Sequence, residues 1–449
     1  MNLNGTDLTW DGMFNKSKRS ILKEIFNLTI PIILLQISQI VHRILDFGFI
    51  ARLSPDAVIA GSVSSSWLGL ALIFSTIGQI GGQIGVSQLI GKGDKLAARE
   101  YAKNTIFISV ILGIILGIIT IIFSELWVYL FAPREFDYAV IHLRIIGFTF
   151  PMIFITYAIT GIHYGLGNSK APFILIGIGL IFNFLITQIF ISAFGWGYIG
   201  IAVATAISHI ITGLLLLFSL KHQQVFQFDD FKFKEFFSID GKTIGRLLMW
   251  GLPIAGDRFI QAILSWRILS IYIFAVVANS IGQNIMLWFW VIGGSYVIAF
   301  RIFAAQNYGA NNFKRLRKGY LASLIAMILW GTGIGLIMFF AGGTIFEMFT
   351  TNPEVIEQGV SYLRIFAVMH IAQCIGELSA SAFEGKGQTW KPMLISIIFN
   401  LVAYFLSRAA LEMHQIWLGI AFANVVKYIV VTAWYFIHTK KFEQKEVTA

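Results

Sequence analysis

The sequence predicts an all-α integral membrane protein with twelve transmembrane helices, arranged as two lobes of six helices each. Three observations support this fold class: a low content of charged residues, long apolar segments along the whole chain, and an internal repeat. Of the 449 residues, 57% are hydrophobic and 12% are charged, whereas soluble domains average about 25% charged residues. This composition excludes a chain built mainly of soluble domains.

Twelve apolar segments are long enough to cross the hydrocarbon core, which takes about 20 helical residues. Polar residues, Gly or Pro separate neighbouring segments. We expect an N-lobe over residues 1–220, a cytoplasmic connector over 221–245, and a C-lobe with a short cytoplasmic tail over 246–449. The predicted spans cover residues 22–49, 57–88, 104–131, 138–163, 172–194, 197–220, 246–276, 279–306, 318–348, 358–383, 392–413 and 416–438.

Basic residues alternate between the two sides of this topology. Outside the spans or near their ends, 23 Lys and Arg residues lie at the N-terminus, in the loops after even-numbered spans and in the tail, whereas 3 lie on the other side: Arg52, Arg134 and Arg408. Lys and Arg are enriched in cytoplasmic loops, so we expect both termini in the cytoplasm. This orientation and contact with anionic membrane lipid explain the net charge of +10, and nucleic acid is not an expected partner.

The sequence contains no pattern typical of a metal site, a cofactor site or an enzyme active site. Its single cysteine, Cys374, excludes an intramolecular disulfide and a cysteine-cluster metal site. A His-Glu metal motif, a nucleophile elbow and a phosphate-binding loop are also absent from the sequence. We therefore expect no catalysis, no bound metal and no cofactor.

The two halves of the chain repeat each other at a nearly constant offset. Because each half has an even number of spans, the repeats are parallel and are related by an axis along the membrane normal. Transporters built in this way hold their substrate between the repeats, near the middle of the membrane. The matched motifs are Leu143-Arg144-Ile145 with Leu363-Arg364-Ile365, Gly165-x-Gly167 with Gly385-x-Gly387, Gln88-x-x-Gly91 with Gln306-x-x-Gly309, and Pro31 with Pro253.

Three of these regions carry a resemblance to a known family. Residues 80–94 read IGGQIGVSQLIGKGD, residues 304–312 read AAQNYGANN, and residues 165–172 read GLGNSKAP. Together they resemble the multidrug and toxic compound extrusion (MATE) family over essentially the whole chain. The major facilitator superfamily shares the six-plus-six arrangement, but its Asp-Arg-x-Gly-Arg type of motif is absent here.

This resemblance implies a V-shaped pair of lobes that work by alternating access. It also implies that the protein exports amphipathic organic compounds (drugs, toxins or metabolites) in exchange for H⁺ or Na⁺. We expect a monomer in the cell membrane whose partners are a small organic substrate, the coupling cation and membrane lipid. A flippase for lipids or lipid-linked oligosaccharides, from the same superfamily, stays as the alternative because the C-lobe spans are rich in arginine.

A cation-coupling site is expected in the N-lobe. Ionisable groups within membrane spans are functional candidates by default, and Asp46 in the first span matches a family position implicated in coupling. His42 and Arg43 lie within one helical turn of it. A static ion pair between Asp46 and Arg43 is the alternative interpretation.

Further positions complete the set that the resemblance implies. Asn183 and Thr205 match other members of the family's N-lobe cation site, and Thr187 stands where relatives often have an Asp. The missing second carboxylate favours H⁺ over Na⁺. The expected coupling residues are therefore Asp46, His42, Asn183, Thr187 and Thr205.

A substrate cavity is expected in the C-lobe. Some family members carry acids at the positions of Gln261 and Gln373, and here Asp257 and Glu377 lie one turn away from these glutamines and could replace those acids. Arg258, Arg267 and Arg301 either attract an anionic substrate or pair with Asp257 and Glu377. The expected cavity residues are Asp257, Gln261, Arg267, Gln283, Gln373 and Glu377.

The charge distribution yields a direct test of the topology. A reporter that is active only in the cytoplasm should be active when it is fused to either terminus, because the basic loops place both ends there. Reporter activity from the opposite side at either end would contradict the twelve-span topology.

Overall fold

The computed structural model describes residues 21–131, 136–221, 223, 240–269, 276–410 and 412–447. Within these residues the chain forms fourteen helices. They are α1 (Ile21–Ala51), α2 (Pro55–Ile73), α3 (Ser75–Lys92), α4 (Lys95–Phe131), α5 (Phe136–Gly165), α6 (Lys170–Ser192), α7 (Gly197–Leu220), α8 (Gly241–Leu269), α9 (Val276–Gly309), α10 (Phe313–Phe340), α11 (Gly342–Glu347), α12 (Pro353–Gly385), α13 (Trp390–Ala409) and α14 (Met413–Val447).

The described residues contain twelve segments that are long and apolar enough to span a membrane. Each segment corresponds to one predicted span, so the predicted all-α membrane fold is confirmed. We call α1–α7 the N-lobe and α8–α14 the C-lobe. Most of the predicted connector, residues 221–245, lies outside the described residues, and α8 begins at Gly241.

The second span is made of two helices that meet at Phe74, a break that the sequence analysis did not predict. The N–H of Phe74 still bonds to the carbonyl oxygen of Ala71, and this closes the end of α2. The hydroxyls of Ser75 and Thr76 donate to the carbonyl oxygens of Leu72 and Ile73, both at 2.6 Å. These hydroxyls satisfy carbonyl groups that a helix end would otherwise leave unpaired.

The repeated Gly-x-Gly motifs have the same structural role in both lobes. Gly167 and Gly387 follow α5 and α12 with φ of 77° and 75°, in the left-handed region that favours glycine. The last residues of these helices, Gly165 and Gly385, pack so closely that a Cβ atom on either would lie 2.7 Å from a side chain of α3 or α9. The repeat therefore preserves one turn and one close helix contact in each lobe.

The two lobes contact each other where α3 of the N-lobe crosses α9 of the C-lobe. A Cβ atom on Gly91 would lie 1.9 Å from the carbonyl oxygen of Gln306, and one on Gly309 would lie 2.0 Å from that of Gln88. Such small residues let two membrane helices approach backbone to backbone. Both crossing points lie next to the strongly basic loops.

The same two glutamines form hydrogen bonds across the lobes. Gln88 Nε2 donates to the carbonyl oxygen of Gly385 at 2.8 Å, and Gln306 Nε2 donates to that of Gly165 at 3.2 Å. Each acceptor ends a helix, where the last carbonyl groups lack partners within the helix. We call these six residues the interlobe seam: Gln88, Gly91, Gly165, Gln306, Gly309 and Gly385.

Helix α1 also links the lobes. Gln36 Nε2 donates to Ser295 Oγ of α9 at 3.0 Å, and Glu24 forms a 2.5 Å ion pair with Arg315 of α10. On its other side α1 packs against α6 of its own lobe. Movement of α1 is therefore coupled to both lobes.

The close crossing predicts that a methyl group at the seam destabilises the protein. Gly91→Ala and Gly309→Ala should each lower the free energy of unfolding by about 1–3 kcal/mol, the usual cost of overpacking. Thermal unfolding of the purified protein in detergent measures this effect.

Gly333→Ala is the matched control, because nothing lies within 4 Å of the position that its Cβ would take. It should leave the unfolding midpoint unchanged or raise it, because alanine favours a helix more than glycine does. A wild-type midpoint in Gly91→Ala would contradict the close crossing.

Candidate functional site

The predicted coupling residue Asp46 lies in the second half of α1 and contacts a histidine. His42 Nε2 lies 3.2 Å from Asp46 Oδ2, one helical turn away. Arg43 is exposed and, among the described residues, forms no ion pair with Asp46. The structure therefore shows a His42–Asp46 contact instead of the static arginine pair that was the alternative.

The other predicted coupling residues lie on α6 and α7. Asn183 Nδ2 donates to Thr205 Oγ1 at 3.2 Å, and Thr187 lies one turn further along α6. The ring of Phe184, next to Asn183, lies 5.6 Å from that of Phe49 on α1. This contact places the Asn183 region of α6 beside the Asp46 region of α1.

Unpaired oxygen atoms are concentrated in this set. In the described part of the chain, 4 buried side-chain oxygen atoms have no hydrogen-bond partner, and 3 of them belong to the predicted residues: Asp46 Oδ1, Asn183 Oδ1 and Thr187 Oγ1. The fourth is the hydroxyl of Tyr198. An unsatisfied buried acceptor costs about 1–3 kcal/mol, so these oxygens are ready acceptors for a proton or a small cation.

The C-lobe encloses a cavity of about 490 Å³ between α8, α9, α12, α13 and α14. The structure places together the five members of the predicted cavity set whose side chains it describes. The side chain of Arg267, the sixth, lies outside the described part. The five that line the cavity are Asp257, Gln261, Gln283, Gln373 and Glu377.

Hydrogen bonds hold the two predicted acids in place. Gln261 Nε2 lies 3.3 and 3.4 Å from the two carboxylate oxygens of Asp257 and also donates to Ser396 Oγ at 3.1 Å. The hydroxyl of Tyr428 donates to Glu377 Oε1 at 3.4 Å. A smaller cavity of about 50 Å³ adjoins both acids, and it is large enough for a few water molecules.

Arg301 pairs with an acid that the sequence analysis did not single out. Its Nε lies 2.6 Å from Glu384 Oε2, and the two side chains are only 8% and 12% exposed. Arg301 Nη1 also donates to Gln83 Oε1 of the N-lobe at 3.4 Å. Glu384 lies two helical turns after Glu377 on the same face of α12, and this spacing is a signal that could have identified it.

Lys427 is a second cavity residue that the sequence analysis missed. It lines both cavities, is 5% exposed, and its Nζ lies 4.4 Å from the ring centroid of Tyr428. Its position as the one charged residue inside the last predicted span, residues 416–438, could have identified it. The C-lobe cavity therefore contains cations from three helices: Arg258 of α8, Arg301 of α9 and Lys427 of α14.

The buried Arg301–Glu384 pair predicts a double-mutant effect on stability. Removing one member of a buried pair leaves an uncompensated charge and typically costs about 3–5 kcal/mol. Arg301→Gln and Glu384→Gln should each lower the thermal unfolding midpoint in detergent more than the double variant does. Simple additivity of the two losses would show that the side chains act independently.

Comparison with known proteins agrees with this architecture. The MatE family model matches residues 31–189 and 258–407. The probable multidrug resistance protein YoeA of Bacillus subtilis is 28% identical over 456 residues, which cover 95% of this chain and 96% of YoeA. The multidrug export protein MepA of Staphylococcus haemolyticus is 20% identical, with 84% of each chain covered.

Solved structures show the same fold. An outward-facing multidrug resistance MATE family transporter of the MOP superfamily superposes with a TM-score of 0.87 at 20% identity, covering 94% of this chain and 97% of the other. A MOP superfamily transporter from Pyrococcus furiosus with a binding pocket of reverse polarity also gives 0.87 at 20% identity, covering 95% and 97%. With the family model matching more than half of its length, the chain belongs to the MatE family of membrane transporters.

Proposed function

We propose that this protein is a secondary active antiporter that exports amphipathic organic compounds across the cell membrane in exchange for H⁺. The observation that carries the proposal is the set of buried, unpaired oxygens on Asp46, Asn183 and Thr187, which belong to two helices of the N-lobe that pack against each other. Membership of a transporter family and the names of the multidrug resistance and export proteins among its relatives support the direction and type of transport.

The composition of the N-lobe set supports H⁺ over Na⁺. It offers one carboxylate, since Thr187 supplies a hydroxyl where a second acid would strengthen a metal-ion site. A proton needs only one carboxylate, and His42 Nε2 at 3.2 Å from Asp46 gives that proton a neighbouring acceptor. Histidine commonly shuttles protons in this way.

Coupling then follows from the position of α1. Protonation of Asp46 removes the negative charge that holds His42. Because α1 also bonds to the C-lobe through Gln36 and Glu24, a rearrangement of α1 shifts the balance between two arrangements of the lobes. Pro31, which lies between Glu24 and Gln36 on α1, removes one backbone hydrogen bond and permits a bend there.

The C-lobe cavity is the proposed substrate site. Its volume of about 490 Å³ lies within the range of about 300–1,000 Å³ that is usual for organic ligands. Its lining combines rings such as Trp290 and Trp417 with carboxamides and charged groups, which suits amphipathic compounds.

A flippase for lipids or lipid-linked oligosaccharides is the second proposed function. The three cations of the cavity, Arg258, Arg301 and Lys427, favour it, because they could bind a phosphate headgroup. Proteoliposomes containing fluorescent phospholipid separate the two functions. Flipping of the lipid without export of organic dyes would favour the flippase.

Asp46→Asn tests the coupling role. The amide retains the size of the side chain but cannot exchange a proton, so pH-driven accumulation of a dye in proteoliposomes should fall at least about tenfold, while the dye still binds. Wild-type accumulation by Asp46→Asn would exclude Asp46 as the coupling residue. Asp257 and Glu377 would then be the next candidates for the coupling residue.

Glu125→Gln is the matched control. Glu125 is also an acid in an N-lobe span, but its side chain is 57% exposed and pairs with Arg144 at the surface. Exposed ion pairs contribute about 0–1 kcal/mol, so this variant should fold and transport as the wild type does. Repeating the assay with a Na⁺ gradient at constant pH distinguishes the two cations.

A further inference from the structure

Arg258 is the cavity arginine that forms no ion pair in the described part of the chain, although the carboxylates of Asp257, Glu377 and Glu384 line the same cavity and attract its charge. The guanidinium of Arg301 pairs with Glu384, and the ammonium of Lys427 packs over the ring of Tyr428. Arg258, in contrast, is exposed and lines the cavity. Among the described residues it forms neither an ion pair nor a hydrogen bond.

An unpaired arginine in a membrane span needs an explanation. A charged side chain at this depth costs several kcal/mol unless water or a counter-ion compensates it. Asp257 and Glu377 are already hydrogen-bonded to Gln261 and Tyr428. The guanidinium therefore keeps a planar set of five donors, which matches the two oxygens of a carboxylate or phosphate.

Neutral donors surround the same space. The carboxamides of Asn279, Gln283 and Gln373 line the cavity, and they form no side-chain hydrogen bond within the part of the chain that the structure describes. Trp290 and Trp417 supply apolar surface beside them. A ligand that fits this lining carries one anionic group, further hydrogen-bonding atoms and an aromatic or aliphatic body.

We infer that Arg258 is the residue that selects substrates bearing a carboxylate or phosphate, which bind in the C-lobe cavity with that anion on the Arg258 guanidinium. This inference rests on the proposed function, because it assigns the substrate class to the proposed substrate cavity. The sequence analysis offered Arg258, Arg267 and Arg301 as residues that could attract an anion. The inference assigns this role to Arg258, because Arg301 pairs with Glu384.

A pair of dyes isolates the contribution of the anion. Rhodamine 19 has a free carboxylate, and rhodamine 6G is its ethyl ester with the same cationic ring system. With the protein in nanodiscs of phosphatidylcholine, fluorescence anisotropy should show that the wild type binds rhodamine 19 about tenfold more tightly than rhodamine 6G, as expected for a charge-assisted bidentate contact.

Variants of Arg258 should remove this preference in steps. Arg258→Gln should bind both dyes equally, and Arg258→Lys, which retains the charge but loses the planar fork, should keep part of the preference. Arg364→Gln is the matched control, because Arg364 is a C-lobe arginine that packs 5.5 Å from the ring of Phe339, away from the cavity lining. It should keep the wild-type ratio.

A second arm identifies the source of the anion. Phosphatidylglycerol added to the nanodiscs should compete with rhodamine 19 in the wild type, and not in Arg258→Gln, if a lipid headgroup occupies the site. Without such competition, the ligand is a small organic acid. Both results support an anion site at Arg258.

Two results would overturn the inference: equal affinity of the wild type for both dyes, or an unchanged preference in a monodisperse Arg258→Gln protein. Proton-driven export of rhodamine 6G is measured in parallel in proteoliposomes. If export persists while the preference is absent, the inference fails and the proposed function stands. If the wild type exports neither dye against a gradient, the proposed function itself fails.

Discussion

Hydrocarbon offers no hydrogen-bond partner, so each polar group in a membrane helix must find one within the protein or face a cavity. Many hydroxyls meet this constraint locally, as Thr29 does by donating to the carbonyl oxygen four residues earlier at 2.8 Å. Arg301 and Arg315 meet it through acids on other helices. Of the four buried side-chain oxygens without a partner in the described residues, three belong to Asp46, Asn183 and Thr187 of the N-lobe. In the C-lobe, the guanidinium of Arg258 lines the cavity without an ion pair or a hydrogen bond to any described residue.

These two places lie in different lobes, and α1 connects them mechanically. It carries Asp46 and packs against α6 in the N-lobe, and it bonds to α9 and α10 in the C-lobe. Helix α9 in turn supplies Arg301, Gln283 and one side of the interlobe seam. A change of charge at Asp46 can therefore reach the cavity through two helices without a long chain of side-chain contacts.

The sequence was sufficient to predict features that depend on composition and local order. Twelve apolar segments and a repeated Gly-x-Gly motif are properties of consecutive residues, and the structure confirms the membrane fold and shows a shared role for Gly167 and Gly387. The ion-pair partner of Arg301 could not be predicted, because it depends on which side chains of distant helices face each other. Glu384 lies 83 positions from Arg301, and no local pattern pairs them. The break at Phe74 was also missed, because an apolar segment looks the same whether its helix is continuous or interrupted.

The seam has a consequence for the origin of the chain. Gln88 contacts Gly385 while Gln306 contacts Gly165, which is the reciprocal pattern found at the interface of a two-fold symmetric dimer. A single six-helix chain with one such glutamine and one such glycine could form both bonds with a second copy of itself. Because the two halves insert in the same orientation, fusion of the copies would require no inversion in the membrane. The arrangement is that of a parallel homodimer joined by a linker, whose halves were then free to diverge in the side chains that they place inside each lobe.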